Sequence, residues 1–399
     1  MREDWAVRSH TPSTFPALVF AGCNEMCYNG LGCNRRWTSR PPQRQIPDVS
    51  RWARVHLSSP VQTDAPRHAM KTLITGGAGC IGSDLAEALT SRGDEIVVLD
   101  NLTSGRLEHI QGLLDSPSFN FIEGDLLDVQ TVDSAMKGVE MVYHLAANPD
   151  VKFAPGDPTD KDLNQNTIAT YNLLEAMRRN GVRKLAFSST SAVYGIPEKQ
   201  PIAEDTPFPK PISLYGATKL SCEAMIGAFQ HLFGFQIWIF RFANILGPKT
   251  RKRGCTVISD FITRLRHNPK KLLILGNGKQ AKSYLLSSEC VAAMLFVIRN
   301  ADGPWNVYNL GCDDSLTVDR IAGLLVREMG LSGVEFSYTG GEGGWPGDVP
   351  RFCLDVTAVN RLGWKAAHTS EQAVVTAIQQ SLAAVHWTSD GRAGYLCKP

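Results

Sequence analysis

The chain has 399 residues, 43% of them hydrophobic and 20% charged, the mix of a soluble globular protein with two domains or one large lobe and a smaller partner. A formal net charge of +2 excludes the basic field of a nucleic-acid binder, and no apolar run approaches the roughly 20 residues of a membrane span, so neither partner is expected. The run Phe15 to Ala21 is broken by Pro16 and follows Glu3 and Asp4, a poor signal peptide, and the ten cysteines are scattered, so a reduced cytoplasmic protein is expected rather than a disulfide framework.

Residues 1–69 hold nine Arg, no Lys, seven Pro and three Trp, without a sustained period of 3.6 or 2, and read as a disordered extension. Cys23, Cys27 and Cys33 are separated by three and five residues, with His10 and His56 the nearest histidines; this matches no zinc pattern, and no metal is expected. Met70 directly precedes the first strand pattern and reads as the natural start; activity of residues 70–399 expressed alone would test that.

From Met70 onward, β-rich runs at 71–75, 95–100, 119–123, 140–146, 182–188 and 235–240 alternate with helical patterns at 80–91, 128–137, 161–180 and 213–233. Strands separated by helices are βαβ units, and near-continuous apolar runs such as Ile96-Val97-Val98-Leu99 suit strands covered on both faces. The expected fold is α/β, a Rossmann-type doubly wound parallel sheet over 70–245. After about residue 245 the alternation loosens, and 246–386 read as a smaller α/β substrate lobe with part of the chain returning to the sheet; 387–399, with Trp387, read as a frayed tail.

Thr75-Gly76-Gly77-Ala78-Gly79-Cys80-Ile81-Gly82 joins the first strand to the first helix. Gly76 permits a tight turn, Gly79 lets backbone approach a pyrophosphate, Gly82 lets helix and strand pack closely, and the helix N-terminus offers free N–H groups. The alternative is a merely structural strand–helix turn. The second strand ends at Asp100, 24 positions after Gly76, where a carboxylate accepts from ribose hydroxyls and repels a 2′-phosphate. NAD is therefore expected over NADP, although Arg106 keeps the latter open. Asp125 and Leu126 follow the third strand where such folds flank the adenine; the alternative for Asp125 is a helix cap, given Asp128 beyond it.

Tyr215 and Lys219, four apart, share a helix face, and a neighbouring ammonium favours the phenolate, which makes Tyr215 a credible acid/base. The spacing recurs by chance in surface pairs. Here it follows a strand ending Phe187-Ser188-Ser189-Thr190, whose C-terminal end is where open α/β sheets bind ligands.

With TGGAGCIG, DNLTSG, GDL, HLAAN, NTIATYNLLEA, SSTSAVYG, YGATK and RFANILGP in this order over 70–385, the chain resembles the extended short-chain dehydrogenase/reductases, the NAD-dependent epimerase/dehydratase group, and especially its UDP-glucose 4-epimerases. The resemblance implies that Thr190 binds the sugar hydroxyl, Tyr215 is the base and Lys219 also holds the nicotinamide ribose. It places Cys80, Ile81, Asn101, Leu145, Ala146, Ala147, Asn166 and Ala243 along NAD, and Asn244 on the sugar nucleotide. Similar dehydratases carry Asp-Glu directly after the Thr, and decarboxylases a Glu two residues after it; here Ser191 and Ala192 stand there, leaving oxidation and re-reduction at one carbon. The implied reaction is C4 epimerisation of a nucleoside-diphosphate hexose through a 4-keto sugar. A ketoreductase or dehydrogenase that releases its cofactor, or a redox-inactive NAD-binding regulator, are the alternatives.

At the diphosphate end the family's arginines are missing. Lys282, on a strand read at 282–287, replaces one, and Gly341 to Trp345 contain none before Asp348, which either contacts the nucleotide ribose or caps a turn. Phe352 falls where relatives border the hexose, and His144 reads as a packed or loop-bonding histidine rather than a catalytic one. Ile168, Tyr171, Leu174, Leu220, Met225 and Phe229 form apolar stripes; relatives dimerise through these helices, so a homodimer is expected, with ordinary packing on the sheet as the alternative.

Overall fold

The structure, a computed structural model, describes residues 69–152, 156–249 and 256–383. The expectations for the N-terminal extension, for Cys23, Cys27 and Cys33, and for the tail from 387 lie outside the described residues.

Seven strands form one sheet: β1 (Lys71–Thr75), β2 (Glu95–Asp100), β3 (Phe119–Glu123), β4 (Met141–His144), β5 (Lys184–Thr190), β6 (Gln236–Phe242) and β11 (Trp305–Leu310). Their order is β11-β6-β5-β4-β1-β2-β3, and every neighbouring pair is parallel. The continuous apolar runs are resolved by the pleat into two cores. Ile74, Ile96, Val98, Ala186 and Phe240 face one, packed against α1 (Cys80–Thr90) and α6 (Ser287–Asn300). Leu73, Val97, Leu99, Leu185 and Ile239 face the other, packed against α2 (Val129–Ala135), α3 (Ala169–Arg179) and α4 (Leu214–Phe233). The doubly wound α/β reading is therefore met. Strand order reverses between β1 and β4, so the crevice outside their C-terminal ends is the topological switch point where such sheets bind ligands.

Past β6 the chain leaves the sheet through β7 (Asn244–Leu246), α5 (Val257–His267), β8 (Lys271–Ile274), β9 (Ala281–Lys282) and β10 (Tyr284–Leu286). It returns as α6 and the edge strand β11, then continues through β12 (Leu316–Thr317), α7 (Val318–Glu328), β13 (Glu335–Tyr338), α8 (Thr357–Leu362) and α9 (Ser370–Ala383). A third core, with Phe261, Leu272, Ile274, Ile321, Leu325 and Val374, holds α5, α7, α9 and β8 together. Among the described residues no helix is long and apolar enough to cross a membrane.

The structure refines two local expectations and corrects a third. The pattern at 161–180 is not one α-helix: a turn Asp160–Asp162 and a π-helical segment Leu163–Ile168 precede α3. Within this segment the Asn166 side chain accepts the Asn148 N–H at 2.8 Å, a tertiary bond to the loop after β4. The strand at 282–287 divides at Ser283, whose hydroxyl donates to the Cys312 carbonyl and accepts from its N–H, both at 2.9 Å; β9 then pairs with β12 and β10 with β7. The apolar stripes also split: Leu174 and Phe229 pack against the sheet, whereas Ile168 and Tyr171 are exposed.

His144 is fully buried at the end of β4, bonded through Nδ1 to Thr75 Oγ1 at 2.7 Å and through Nε2 to Thr170 Oγ1 at 2.9 Å. Burial, with a smaller push from the Lys219 charge, lowers its pKa to about 3, so it is neutral and structural at neutral pH. Because its folded pKa lies below the unfolded one, the unfolded chain binds the extra proton, and stability present above pH ~6.5 is lost as the pH falls toward 3. Thermal melts should show this acid loss, amounting to about a few kcal/mol, and His144→Gln should remove most of it.

Candidate active site

The glycine turn occupies the switch point. Gly76 has a φ of +72°, and a Cβ there would stand 2.6 Å from the Ala146 nitrogen, so β1 leaves the sheet hard against the loop Leu145-Ala146-Ala147. Gly79 is the N-cap of α1 with no side chain over the helix end, and Cys80 and Ile81, both half-buried, form its first turn. At Gly82 a Cβ would lie 2.3 Å from the Gly76 carbonyl oxygen, so only glycine lets α1 start this close to the turn. The result is a helix N-terminus with bare backbone at the mouth of the crevice, the cradle a pyrophosphate requires.

Asp100 ends β2 beside this cradle. Its Oδ2 accepts from Ala78 N at 3.0 Å and its Oδ1 from Leu102 N at 2.8 Å. Burial raises its pKa, and the two backbone N–H groups oppose that rise. Each oxygen keeps a further lone pair. Asn101 donates to Asp125 Oδ2 at 2.8 Å, and Asp125 Oδ1 accepts from Leu127 N at 2.9 Å. The cap of α2 is Asp128, not Asp125. Leu126 is buried and belongs to the core that includes Leu99 and Val132.

The second half of the site hangs on β5 and α4. Ser213 caps α4 by accepting the Gly216 N–H at 3.1 Å, which fixes where the helix begins. Tyr215 is in its first turn, half-buried, and Lys219 one turn on is buried. The Lys219 ammonium donates to the Ser188 carbonyl at 2.8 Å and lies 4.6 Å from the centre of the Phe187 ring. Burial lowers its pKa to about 8, with the Cys222 and Glu223 charges opposing. Thr190 ends β5 and accepts the Ala192 N–H at 3.1 Å, capping a 3₁₀ turn Ser191–Tyr194. A Cβ on Gly216 would lie 2.5 Å from the Ala192 carbonyl oxygen, so the first turn of α4 rests directly on that 3₁₀ turn. Thr190 and Tyr215 are thereby carried by two elements in contact. Asn166 joins them from below, donating to Asp162 Oδ1 at 3.2 Å and Thr218 Oγ1 at 3.0 Å.

Ala243 is buried, and Asn244, half-buried, opens β7 with its N–H on the Ser283 carbonyl at 3.1 Å. Lys282 forms a close ion pair with the buried Asp348, whose other oxygen accepts the Gly344 N–H at 2.9 Å. Asp348 is thus both a turn cap and the counter-charge of Lys282. Lys152 and Lys282 lie 5.0 and 5.2 Å from the centre of the Trp345 ring. Phe352 is buried and belongs to the core that includes Phe242 and Leu354.

The sequence reading missed Glu223 and Arg241, a buried ion pair with Nη2 to Oε2 at 2.7 Å directly behind β5. The available signal was an arginine inside the apolar strand Gln236–Phe242, and a carboxylate on the buried face of α4 at Lys219 plus four.

The residues fit NAD: a cradle that a Cβ would fill, a carboxylate at the end of β2 with spare acceptor capacity, and a buried lysine one helical turn from a tyrosine. The comparisons agree. Residues 72–311 match the model of the NAD dependent epimerase/dehydratase family. A putative UDP-glucose 4-epimerase of Methanocaldococcus jannaschii is 31% identical over 73% of this chain and 92% of its own length. A crystal structure of a UDP-galactose 4-epimerase is 37% identical with a TM-score of 0.69, covering 79% of this chain and 99% of that one. The UDP-glucose 4-epimerase of Thermus thermophilus, solved with NAD, is 29% identical with a TM-score of 0.70, covering 79% and 100%. UDP-glucuronic acid decarboxylases are also among the matches. By this match and by the site it carries, the chain belongs to the NAD-dependent epimerase/dehydratase family.

Proposed function

We propose that the protein is an NAD-dependent 4-epimerase of a nucleoside-diphosphate hexose of the UDP-glucose/UDP-galactose type. The observation that carries this reading is the strand tip itself. Tyr215 and buried Lys219 stand on a helix whose first turn rests on the 3₁₀ turn that Thr190 caps, and the two residues after Thr190 are Ser191 and Ala192. Elimination of water or loss of a carboxyl group needs a proton-transfer partner there, and neither side chain supplies one.

Gly76, Gly79 and Gly82, with Cys80, Ile81, Asp100, Asn101 and the loop Leu145-Ala146-Ala147, would hold NAD, which supplies the hydride acceptor and then the donor at C4. Thr190 orients the C4 hydroxyl, Tyr215 takes its proton and later returns it, and Lys219 supplies the positive charge beside the phenol. Asn244, Lys282 and Asp348 hold the sugar nucleotide. The deciding experiment is purification without added cofactor followed by assay with UDP-galactose. Conversion to UDP-glucose is expected; net consumption of NADH would replace the reading with a reductase, and bound NAD without turnover with a binding protein.

Two further outcomes follow from the same roles. Lys219 must stay protonated, so kcat should fall as the pH rises through about 8, and a profile flat to pH ~10 would remove its charge from the scheme. Lys282→Met should raise KM for the sugar nucleotide roughly tenfold while kcat changes less than about threefold, because it removes a charge far from C4 and leaves Asp348 unpaired. The reading also includes a homodimer through the face on which Leu163, Ile168 and Tyr171 are exposed; a monomeric mass in solution would refute that part.

A further inference from the structure

The tip of β5 is gripped by α4 at two successive residues. Lys219 donates to the Ser188 carbonyl, and one turn further on Glu223 accepts from the Ser189 hydroxyl. Glu223 is itself held at both oxygens by Arg241, with Nε to Oε1 at 3.1 Å and Nη2 to Oε2 at 2.7 Å. Arg241 stands on β6 in register with Ser189. Its remaining nitrogen, Nη1, donates to the Tyr194 hydroxyl at 3.0 Å and to the Glu204 carbonyl at 2.8 Å, and Tyr194 donates to Asn309 of β11 at 2.7 Å. One polar chain therefore ties together the tip of β5, the 3₁₀ turn after Thr190, the tyrosine-bearing helix and the two outer strands. Lys219, Glu223 and Arg241 are all buried. Apolar residues of the same shape would serve stability as well as a buried ion pair does, so its position directly behind the reacting groups calls for another reason.

We infer that Glu223, clamped by Arg241, is a positioning residue for the Tyr215–Lys219 pair: it fixes the strand tip that Lys219 bonds and that Thr190 ends, and it neutralises the guanidinium that would otherwise act on the Lys219 ammonium. The inference rests on the proton transfer proposed for Tyr215. The groups bearing on that ammonium are few. Tyr215, Cys222 and Glu223 share its helix, the Ser188 carbonyl and Phe187 ring face it from β5, His144 acts from β4, and Arg241 acts from β6 through Glu223. Of these, Cys222 and Glu223 oppose the desolvation that pulls Lys219 down, and Glu223 alone also bonds the strand tip.

The test compares wild type, Glu223→Gln and the double variant Glu223→Met with Arg241→Met. Glutamine keeps the size of Glu223 and a bond to Ser189 but leaves Arg241 uncompensated. In folded Glu223→Gln, the ammonium of Lys219, followed by NMR of labelled lysine with Lys219→Met as the assignment control, should titrate at lower pH than in wild type. Its kcat near neutrality should fall about tenfold, with KM within about twofold. The double variant removes the charges together, so it should melt close to wild type yet stay slow, because nothing holds Ser189 from α4. An unchanged Lys219 titration in Glu223→Gln, or wild-type kcat in the double variant, would overturn the inference. A wild-type chain that binds NAD but converts no UDP-hexose would instead overturn the proposed function, and the lysine titration reads the electrostatic half separately from turnover.

Discussion

Replacing Tyr215 with Phe should lower epimerisation about a thousandfold while leaving the cofactor in place. The hydroxyl is the only atom removed, and the helix start depends on Ser213 and Gly216, which the change does not touch. Acid/base groups of this kind contribute roughly 10²- to 10⁴-fold, and in this scheme the same group acts in both half-reactions. The fold and the glycine cradle lie on other elements, so NAD content by extraction and the melting temperature should stay near wild type. Turnover within about tenfold of wild type would reject Tyr215 as the proton carrier, whereas loss of NAD along with activity would show that the residue holds the cofactor rather than the proton.

Gly82→Ala should abolish stable NAD retention and cost several degrees of melting temperature. The added Cβ would stand 2.3 Å from the Gly76 carbonyl oxygen and 2.7 Å from the Gly77 Cα, and both are backbone atoms that no rotamer can move aside. The N-terminus of α1 must then lift away from the turn, and its free N–H groups leave the position at which a pyrophosphate meets them. Overpacking of this sort costs about 1–3 kcal/mol, and NAD affinity should fall at least about a hundredfold. Gly112→Ala is the control: nothing lies within 4 Å of a Cβ there, so binding and stability should be unchanged. Equal behaviour of the two variants in a calorimetric NAD titration would refute the cradle as the cofactor site.

Much of this protein was legible before any coordinate. The alternation of short apolar runs with helical patterns gave the parallel sheet because strand and helix periods are local properties of the chain. The glycine turn, Asp100, Thr190, Tyr215 and Lys219 were each legible because a turn, a strand end or one helical turn fixes their spacing. The structure decided what depends on chain segments far apart in sequence. Arg241 meets Glu223 across 18 residues, Lys282 meets Asp348 across 66, and Tyr194 meets Asn309 across 115, and no local pattern encodes such partners. The bond from Asn148 to Asn166 is of the same kind, since it joins the loop after β4 to the π-helical segment across 18 residues. Even the charge on Lys219 belongs to the tertiary structure: its sequence position sets the face it shares with Tyr215, but the burial that brings its pKa to about 8 comes from β4, β5 and the rest of α4 closing around it.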